Sequence, residues 1–166
     1  DPCRDSPVEI LHVILLGFVK YFWRDAVSRL SQEDRDILKA RIDSFDITGL
    51  GIPHARGSLL VDYAGSLTGR DFRVILQLAP SILLGLIPEE PYTTWLSLCR
   101  LAPLAFQPNI EDKTLYLANL EAAVHDFLVC TALWTTQWFN KPKFHVLLHI
   151  TEHVRRFGPA LHCATE

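Results

Sequence analysis

Apolar residues recur at intervals of three and four along most of this sequence, which is the pattern of amphipathic helices, and no segment alternates long enough to favour a strand. The first predicted helix runs from Pro7 to about Leu30, and Pro7 suits a first helical turn because it has no N–H to satisfy. Ser31, followed three residues later by Asp34, is typical of a capped second helix. The pattern therefore predicts an all-α fold.

Two further predicted helices contain a proline. Thr68 with Asp71 repeats the capping spacing and opens the helix that contains Pro80, while Pro103 lies in the next one. Because proline lacks an N–H and its ring clashes with the preceding turn, we expect both helices to be kinked or split. The glycine- and proline-rich residues 46–58 are typical of a long loop.

The C-terminal third of the chain predicts the longest helix and the last one. Asn109 with Asp112 opens the longest candidate, which extends to about Phe139. Asn140 is placed to cap the last helix, and the glycine and proline at 158–159 are a stop signal. Together these segments predict a single helical domain over residues 1–166, a bundle of about six helices.

Length and composition fit one folded domain. The chain has 166 residues, of which 49% are apolar, enough to bury a core without disulfides or a structural metal. Its 16 basic and 19 acidic residues give a net charge of −3, and the basic residues are scattered rather than gathered into one patch. Nucleic-acid binding by this chain alone is therefore not indicated by its charge.

Cysteine spacing and hydropathy bear on the cellular compartment. The chain has four cysteines, which lie far apart without a C-x-x-C pair: Cys3, Cys99, Cys130 and Cys163. This spacing argues against a zinc finger and favours free thiols in a reducing compartment. Two disulfides are the alternative. No signal-peptide pattern is visible, and the apolar run 10–19 is shorter than the roughly 20 residues that span a bilayer. We expect an intracellular protein, cytoplasmic or nuclear, without a membrane partner.

Two predicted helices carry one polar stripe each on an otherwise apolar surface. On a wheel of about 100° per residue, the stripe of the last helix consists of His145, His149, Glu152, His153 and Arg156. The stripe of the first helix consists of Asp5, Glu9, His12 and Lys20. A buried stripe needs partners, since an unpaired buried charge is strongly unfavourable. We therefore expect the two stripes to face each other.

If the stripes meet, they place four metal-binding side chains together: Glu9, His12, His145 and His149. Glu-x-x-His and His-x-x-x-His both present two ligands from one helix face towards a shared ion. The ion would be iron, zinc or manganese, with an open position for a small-molecule substrate, and Glu9 and Glu152 are the candidate catalytic carboxylates. His153 lies about 12 Å along the axis from His145, too far to share that ion.

A third candidate pair lies on the longest predicted helix. Glu121 and His125 are one turn apart, beside small residues that permit close approach of another element: Ala118, Ala132 and Thr136. The alternative to metal binding is that all of these histidines have a structural role. A polar stripe is also what a solvated helix face or a network of ion pairs presents, and the chain would then be a protein-interaction module.

Three blocks of this sequence resemble transposase-derived proteins abundant in mushroom-forming fungi, related to the CACTA, Plavaka and Kyakuja–Dileera–Zisupton groups. The blocks are "PVEILHVILLGFVKYFWRD", "YAGSLTGRDFRVILQLAP" and "WFNKPKFHVLLHITEHVRRFGPALHCATE". The resemblance implies a helical segment of an RNase H-like nuclease that uses Mg²⁺ held by carboxylates on DNA. By that motif, Glu9 matches the acidic position before His12, and Glu166 lies near a late acidic block.

The resemblance covers the helical part of such proteins and not their nuclease core. It therefore implies a domesticated or truncated transposase piece without autonomous DNA cleavage, with nucleic acid as a partner by family likeness alone. The runner-up expectation is a small metal-dependent enzyme whose metal site lies between the first and last helices. The third is the protein-interaction module.

Overall fold

The computed structural model describes residues 9–163, with side chains as far as Leu161. Within that range the chain forms helices and no strand, which confirms the all-α prediction. The α-helices are α1 (Lys20–Arg29), α2 (Gln32–Asp43), α3 (Gly57–Asp62), α4 (Gly69–Ile82), α5 (Glu89–Ala105), α6 (Lys113–Trp134), α7 (Pro142–Leu147) and α8 (Ile150–Phe157). A π-helix (Leu11–Val19) precedes α1, and two 3₁₀-helices occupy Thr136–Asn140 and Ala160–Cys163.

The described range thus contains more helices than the roughly six expected from the pattern. One is α3, which forms at the end of the glycine- and proline-rich stretch, and the other arises because the predicted last helix is two helices, α7 and α8. The predicted longest helix ends at Trp134 and gives way to a 3₁₀-helix. Pro7, the predicted start of the first helix, lies outside the described residues.

The predicted caps Ser31 and Thr68 are present, whereas Asn140 does not cap the helix that begins at Pro142, because the N-cap there is Lys141, without a side-chain hydrogen bond. The Ser31 hydroxyl oxygen accepts a hydrogen bond from the Asp34 N–H at 3.1 Å. Thr68 and Asp71 form a reciprocal capping box, in which the Asp71 carboxylate accepts from the Thr68 N–H at 2.8 Å. Helix α6 is capped by Asp112 and not by Asn109, since the Asp112 carboxylate accepts from the Leu115 N–H at 2.9 Å.

Neither proline splits its helix, contrary to that alternative in the prediction. Pro80 and Pro103 both lie in the last turn, and α4 and α5 each end two residues later. Because Pro80 has no N–H, the carbonyl four residues earlier, that of Leu76, lacks its helical donor. The Cys99 thiol of α5 donates to this carbonyl at 3.4 Å, so the neighbouring helix compensates for the proline.

An aromatic cluster holds the C-terminal helices against the N-terminal ones. Phe18 of the π-helix lies 5.0 Å from Phe127 of α6 and 4.6 Å from Phe144 of α7, measured between ring centroids. Phe22 of α1 continues the cluster to Trp95 of α5 at 6.0 Å. These side chains are buried, so α6 is fixed to the core along its inner face. Within the described residues, no helix is long and apolar enough to cross a membrane.

Helices α2 and α3 cross at very short range. A Cβ built on Gly57 would lie 2.5 Å from the Lys39 carbonyl oxygen and 2.6 Å from its Cα. Asp43 of α2 accepts from the Gly57 N–H at 2.7 Å, and Lys39 forms an ion pair with Asp62 of α3 at 2.6 Å. Glycine is therefore required at this crossing because the two backbones leave no room for a side chain.

Candidate functional site

Glu9 and His12, two of the predicted metal ligands, are in contact at the start of the first helical segment. The Glu9 carboxylate accepts from the N–H groups of Leu11 at 3.2 Å and His12 at 2.9 Å, and it also pairs with Nδ1 of the His12 ring. The Glu9 side chain is 26% exposed and that of His12 is 54% exposed. The Glu9 carboxylate therefore satisfies N–H groups at the start of this segment and already has partners there.

The predicted polar stripe of the last helix does not exist as one stripe. Helix α7 ends at Leu147, and α8 begins at Ile150 after a turn, so a wheel drawn over one straight helix was wrong beyond Leu147. His145 is exposed, and its ring centroid lies 5.1 Å from that of His149 in the turn. His153 is instead buried, packed edge-on against Phe157 at 6.1 Å. Glu152 lies half-buried in the first turn of α8.

The π-helix and α7 meet through apolar contacts. Phe144 packs on Phe18, and the Lys143 side chain lies over Gly17, where an added Cβ would come within 3.3 Å of the lysine Cγ. In the part of the chain that the structure describes, no three His, Cys, Asp or Glu side chains come close enough to hold a metal ion together. The structure thus forms the pairs Glu9–His12 and His145–His149, and no three of these four side chains lie together as a metal-binding group.

The described cysteines are free thiols, as expected. Cys99 and Cys130 are both unbonded and partly buried. Burial raises the pKa of the Cys99 thiol to about 12. Because the thiolate is the reactive form, Cys99 is a poor nucleophile near neutral pH and serves as a hydrogen-bond donor to α4.

Helix α6 presents a second apolar face, on the side away from the core. Its buried residues lie on one side of the helix: Tyr116, Leu117, Leu120, Val124, Phe127 and Thr131. The opposite sector of roughly 120° is solvent-exposed. We call this sector the outer face, and it consists of Leu115, Ala118, Ala122, His125, Val129, Ala132 and Leu133. Leu115, Val129 and Leu133 are 59%, 42% and 73% exposed.

The outer face has a heptad repeat that the sequence reasoning missed. Leu115, Ala122 and Val129 are spaced by seven, and Ala118, His125 and Ala132 repeat with the same spacing three residues later. These are the a and d positions of a helix that packs lengthwise against another helix. The seven-residue spacing is visible in the sequence, but a helix with apolar residues on both sides is also what a fully buried core helix looks like.

Glu121 and His125, the third predicted pair, lie on and beside this outer face. Both side chains are exposed, and they are one turn apart on α6. Among the described residues, neither forms a hydrogen bond or an ion pair. They are therefore available to groups from outside the chain.

Comparisons with protein-family models, curated proteins and solved structures find no match for this chain. The likeness to transposase-derived proteins therefore stays a prediction from three sequence blocks.

Proposed function

We propose that this chain is a helical domain without autonomous DNA cleavage, of the kind that the transposase resemblance implies, which associates with a second copy of itself. The two copies pair through the outer face of α6. The observation that carries the proposal is the exposure of Leu115 and Val129 at heptad positions, with the exposed Leu133 beside them, on a helix whose other face already fills the core. A helix that is apolar on two opposite faces buries both in its working state.

The outer face is complementary to itself when the two helices run antiparallel. In the register that pairs a with d positions, Leu115 lies opposite Ala132 of the other copy, Val129 opposite Ala118, and Ala122 opposite His125. Leu115 and Val129 thus each meet an alanine, while Leu133, one position beyond the repeat, lies opposite Thr114 at the end of the helix pair. A parallel pairing would place Leu115 on Leu115 and Ala118 on Ala118, leaving gaps between the alanines.

The size of the outer face predicts a reversible dimer. From Leu115 to Leu133 it is about 27 Å long, at 1.5 Å per residue. A single pair of helices of this length buries close to the lower limit of about 1,000 Å² for a specific interface. We therefore expect a Kd on the order of 10 µM, with monomer and dimer in exchange.

The test compares Leu115→Asp with Leu84→Asp by sedimentation velocity between about 1 and 300 µM. Leu115 is 59% exposed and Leu84 is 58% exposed, but Leu84 lies between α4 and α5, away from the outer face. Losing two copies of Leu115 from the interface is expected to weaken the dimer by at least about 30-fold. The proposal is wrong if the native chain stays monomeric throughout, or if both variants weaken association equally.

Disulfide trapping tests the antiparallel register. Ala118→Cys combined with Val129→Cys is expected to give a covalent dimer through a bond between residue 118 of one copy and residue 129 of the other. Ala118→Cys alone is not, because the two copies of that residue lie about 16 Å apart along the axis. The linked peptides are identified by mass spectrometry, which separates this bond from those of the native cysteines. Efficient trapping by Ala118→Cys alone would instead show a parallel pair.

Metal-dependent activity is the second candidate, and the His145–His149 contact favours it. Two imidazoles with ring centroids 5.1 Å apart can supply two nitrogen ligands to a zinc, iron or manganese ion. We expect about one equivalent of metal in protein purified without an affinity tag and its loss in His149→Ala, measured by elemental analysis. Metal content that is unchanged in the variant would remove this pair from consideration.

A further inference from the structure

Glu121 and His125 are two exposed side chains of zinc-binding type, one helical turn apart on α6. A Zn²⁺ ion in a protein is held by three or four ligands, and imidazole nitrogen and carboxylate oxygen are both suitable. One chain offers two such ligands, spaced by one helical turn on an exposed surface. No third described His, Cys, Asp or Glu of the same chain completes a metal-binding group with them. A complete site therefore needs ligands from elsewhere.

The antiparallel dimer provides them. We infer that Glu121 and His125 of two copies form one Zn²⁺ site on the two-fold axis of the α6 pair, an inference that rests on the proposed function. The axis crosses α6 between Ala122 and His125. Along the helix, His125 lies about 2 Å to one side of that point and Glu121 about 4 Å to the other.

The two-fold operation reverses these offsets for the second copy. Each His125 therefore lies beside the other copy's Glu121, and both pairs project from the same edge of the helix pair. Two nitrogens and two carboxylate oxygens around one point satisfy a closed tetrahedral zinc site. Since the site is complete only in the dimer, Zn²⁺ binds the dimer more tightly than the monomer and stabilises the association.

Asp126 provides a matched control for Glu121. It is also acidic, exposed and on α6, but it lies on the opposite edge of the outer face, about 140° from Glu121 around the helix. The His145–His149 pair is the second control, because it is a separate place where zinc can bind without joining two chains through α6.

The experiment measures the dimer Kd by sedimentation velocity with about 100 µM Zn²⁺ and with a chelator. For a site with a Kd near 10 µM, we expect Zn²⁺ to tighten the dimer about tenfold. His125→Ala and Glu121→Gln are expected to lose this response, while Asp126→Asn and the double variant His145→Ala with His149→Ala retain it. Circular dichroism checks that each variant is folded.

The outcomes separate the two proposals. A dimer whose Kd is unaffected by Zn²⁺, or whose Zn²⁺ response persists in His125→Ala, overturns the zinc site and leaves the α6 dimer standing. A Zn²⁺ response lost in the double histidine variant overturns it as well, since the ion would then bind at His145 and His149. A chain that is monomeric with and without Zn²⁺ overturns the dimer and the zinc site together.

Discussion

The crossing of α2 and α3 gives a quantitative prediction for Gly57→Ala. The new Cβ would lie 2.5 Å from the Lys39 carbonyl oxygen, whereas ordinary contacts begin near 3.4 Å, so the helices must separate by about 0.9 Å. The Lys39 carbonyl oxygen is a backbone atom and the new Cβ is bonded directly to the backbone, so no side-chain rotation can relieve this contact. Separation also strains the Gly57 N–H bond to Asp43 at 2.7 Å and the Lys39–Asp62 ion pair at 2.6 Å.

Overpacking of this kind costs about 1 to 3 kcal/mol, and the contact with backbone puts Gly57→Ala towards the upper value. Alanine's better helix propensity offsets up to about 1 kcal/mol of it. We therefore expect a net loss of about 2 kcal/mol in the free energy of unfolding, equivalent to a fall in Tm of about 4 to 8 °C for a chain of this size. Urea denaturation followed by circular dichroism measures the first quantity, and a thermal scan measures the second.

Gly65→Ala is the control for this prediction. An added Cβ at Gly65 meets no atom within 4 Å. Its free energy of unfolding should stay within about 0.5 kcal/mol of the native chain. If Gly57→Ala were as stable as Gly65→Ala, the close approach of α2 and α3 could not be a feature of the folded chain.

Two further predictions concern α4 and its partner α5. Thr68→Ala removes the capping box and should lower the free energy of unfolding by about 1 kcal/mol in urea, whereas Thr68→Ser should restore most of it. The folded-state pKa of Cys99, about 12, lies above that of an unfolded thiol, so its contribution to stability is complete below pH 8 and is lost as the pH rises towards 12. Urea titrations at pH 8 and pH 10.5 should show a smaller loss for Cys99→Ala than for the native chain, and equal losses would refute the assignment.

The sequence pattern predicted the helices well where a helix has a capped start and one apolar face. Ser31 and the Thr68–Asp71 pair mark true helix starts because capping is decided by residues a few positions apart. The pattern predicts a loop at Gly57, and this is wrong because Gly57 begins α3 and lets that helix approach α2. A contact between segments that are distant in the sequence cannot be predicted from the residues around either segment.

The candidate site was harder to predict than the helices, because it depends on which way each helix face points. The helical wheel used to predict both polar stripes assumes 3.6 residues per turn. Residues 11–19 are instead π-helical, and the Lys20 N–H is bonded to the Leu15 carbonyl five residues earlier. The last predicted helix carries apolar residues around most of its circumference, and a straight helix cannot turn all of them inward. The turn at Leu148 and His149 allows Leu147 and Ile150 both to be fully buried.

The pairs within one helical turn were nevertheless predictable. Glu9 with His12 and His145 with His149 were singled out by spacing alone, and each pair is in contact. The distance between the two pairs depends on how the π-helix packs against α7, which involves Phe18 and Phe144 rather than any polar group. That packing is a tertiary property and has no signature in the spacing of histidines.

The aromatic cluster determines what tryptophan emission can report. Trp23 lies 6.5 Å from Trp95, Trp95 lies 6.0 Å from Phe22, and Phe22 lies 5.2 Å from both Trp134 and Trp138, so all four tryptophans belong to one network of touching rings. All four indoles therefore sense the packing of one aromatic cluster. The outer face of α6 contains no tryptophan. We therefore expect tryptophan emission to change when the interior folds and to stay constant when two folded chains associate. Folding and association can then be measured separately in one sample.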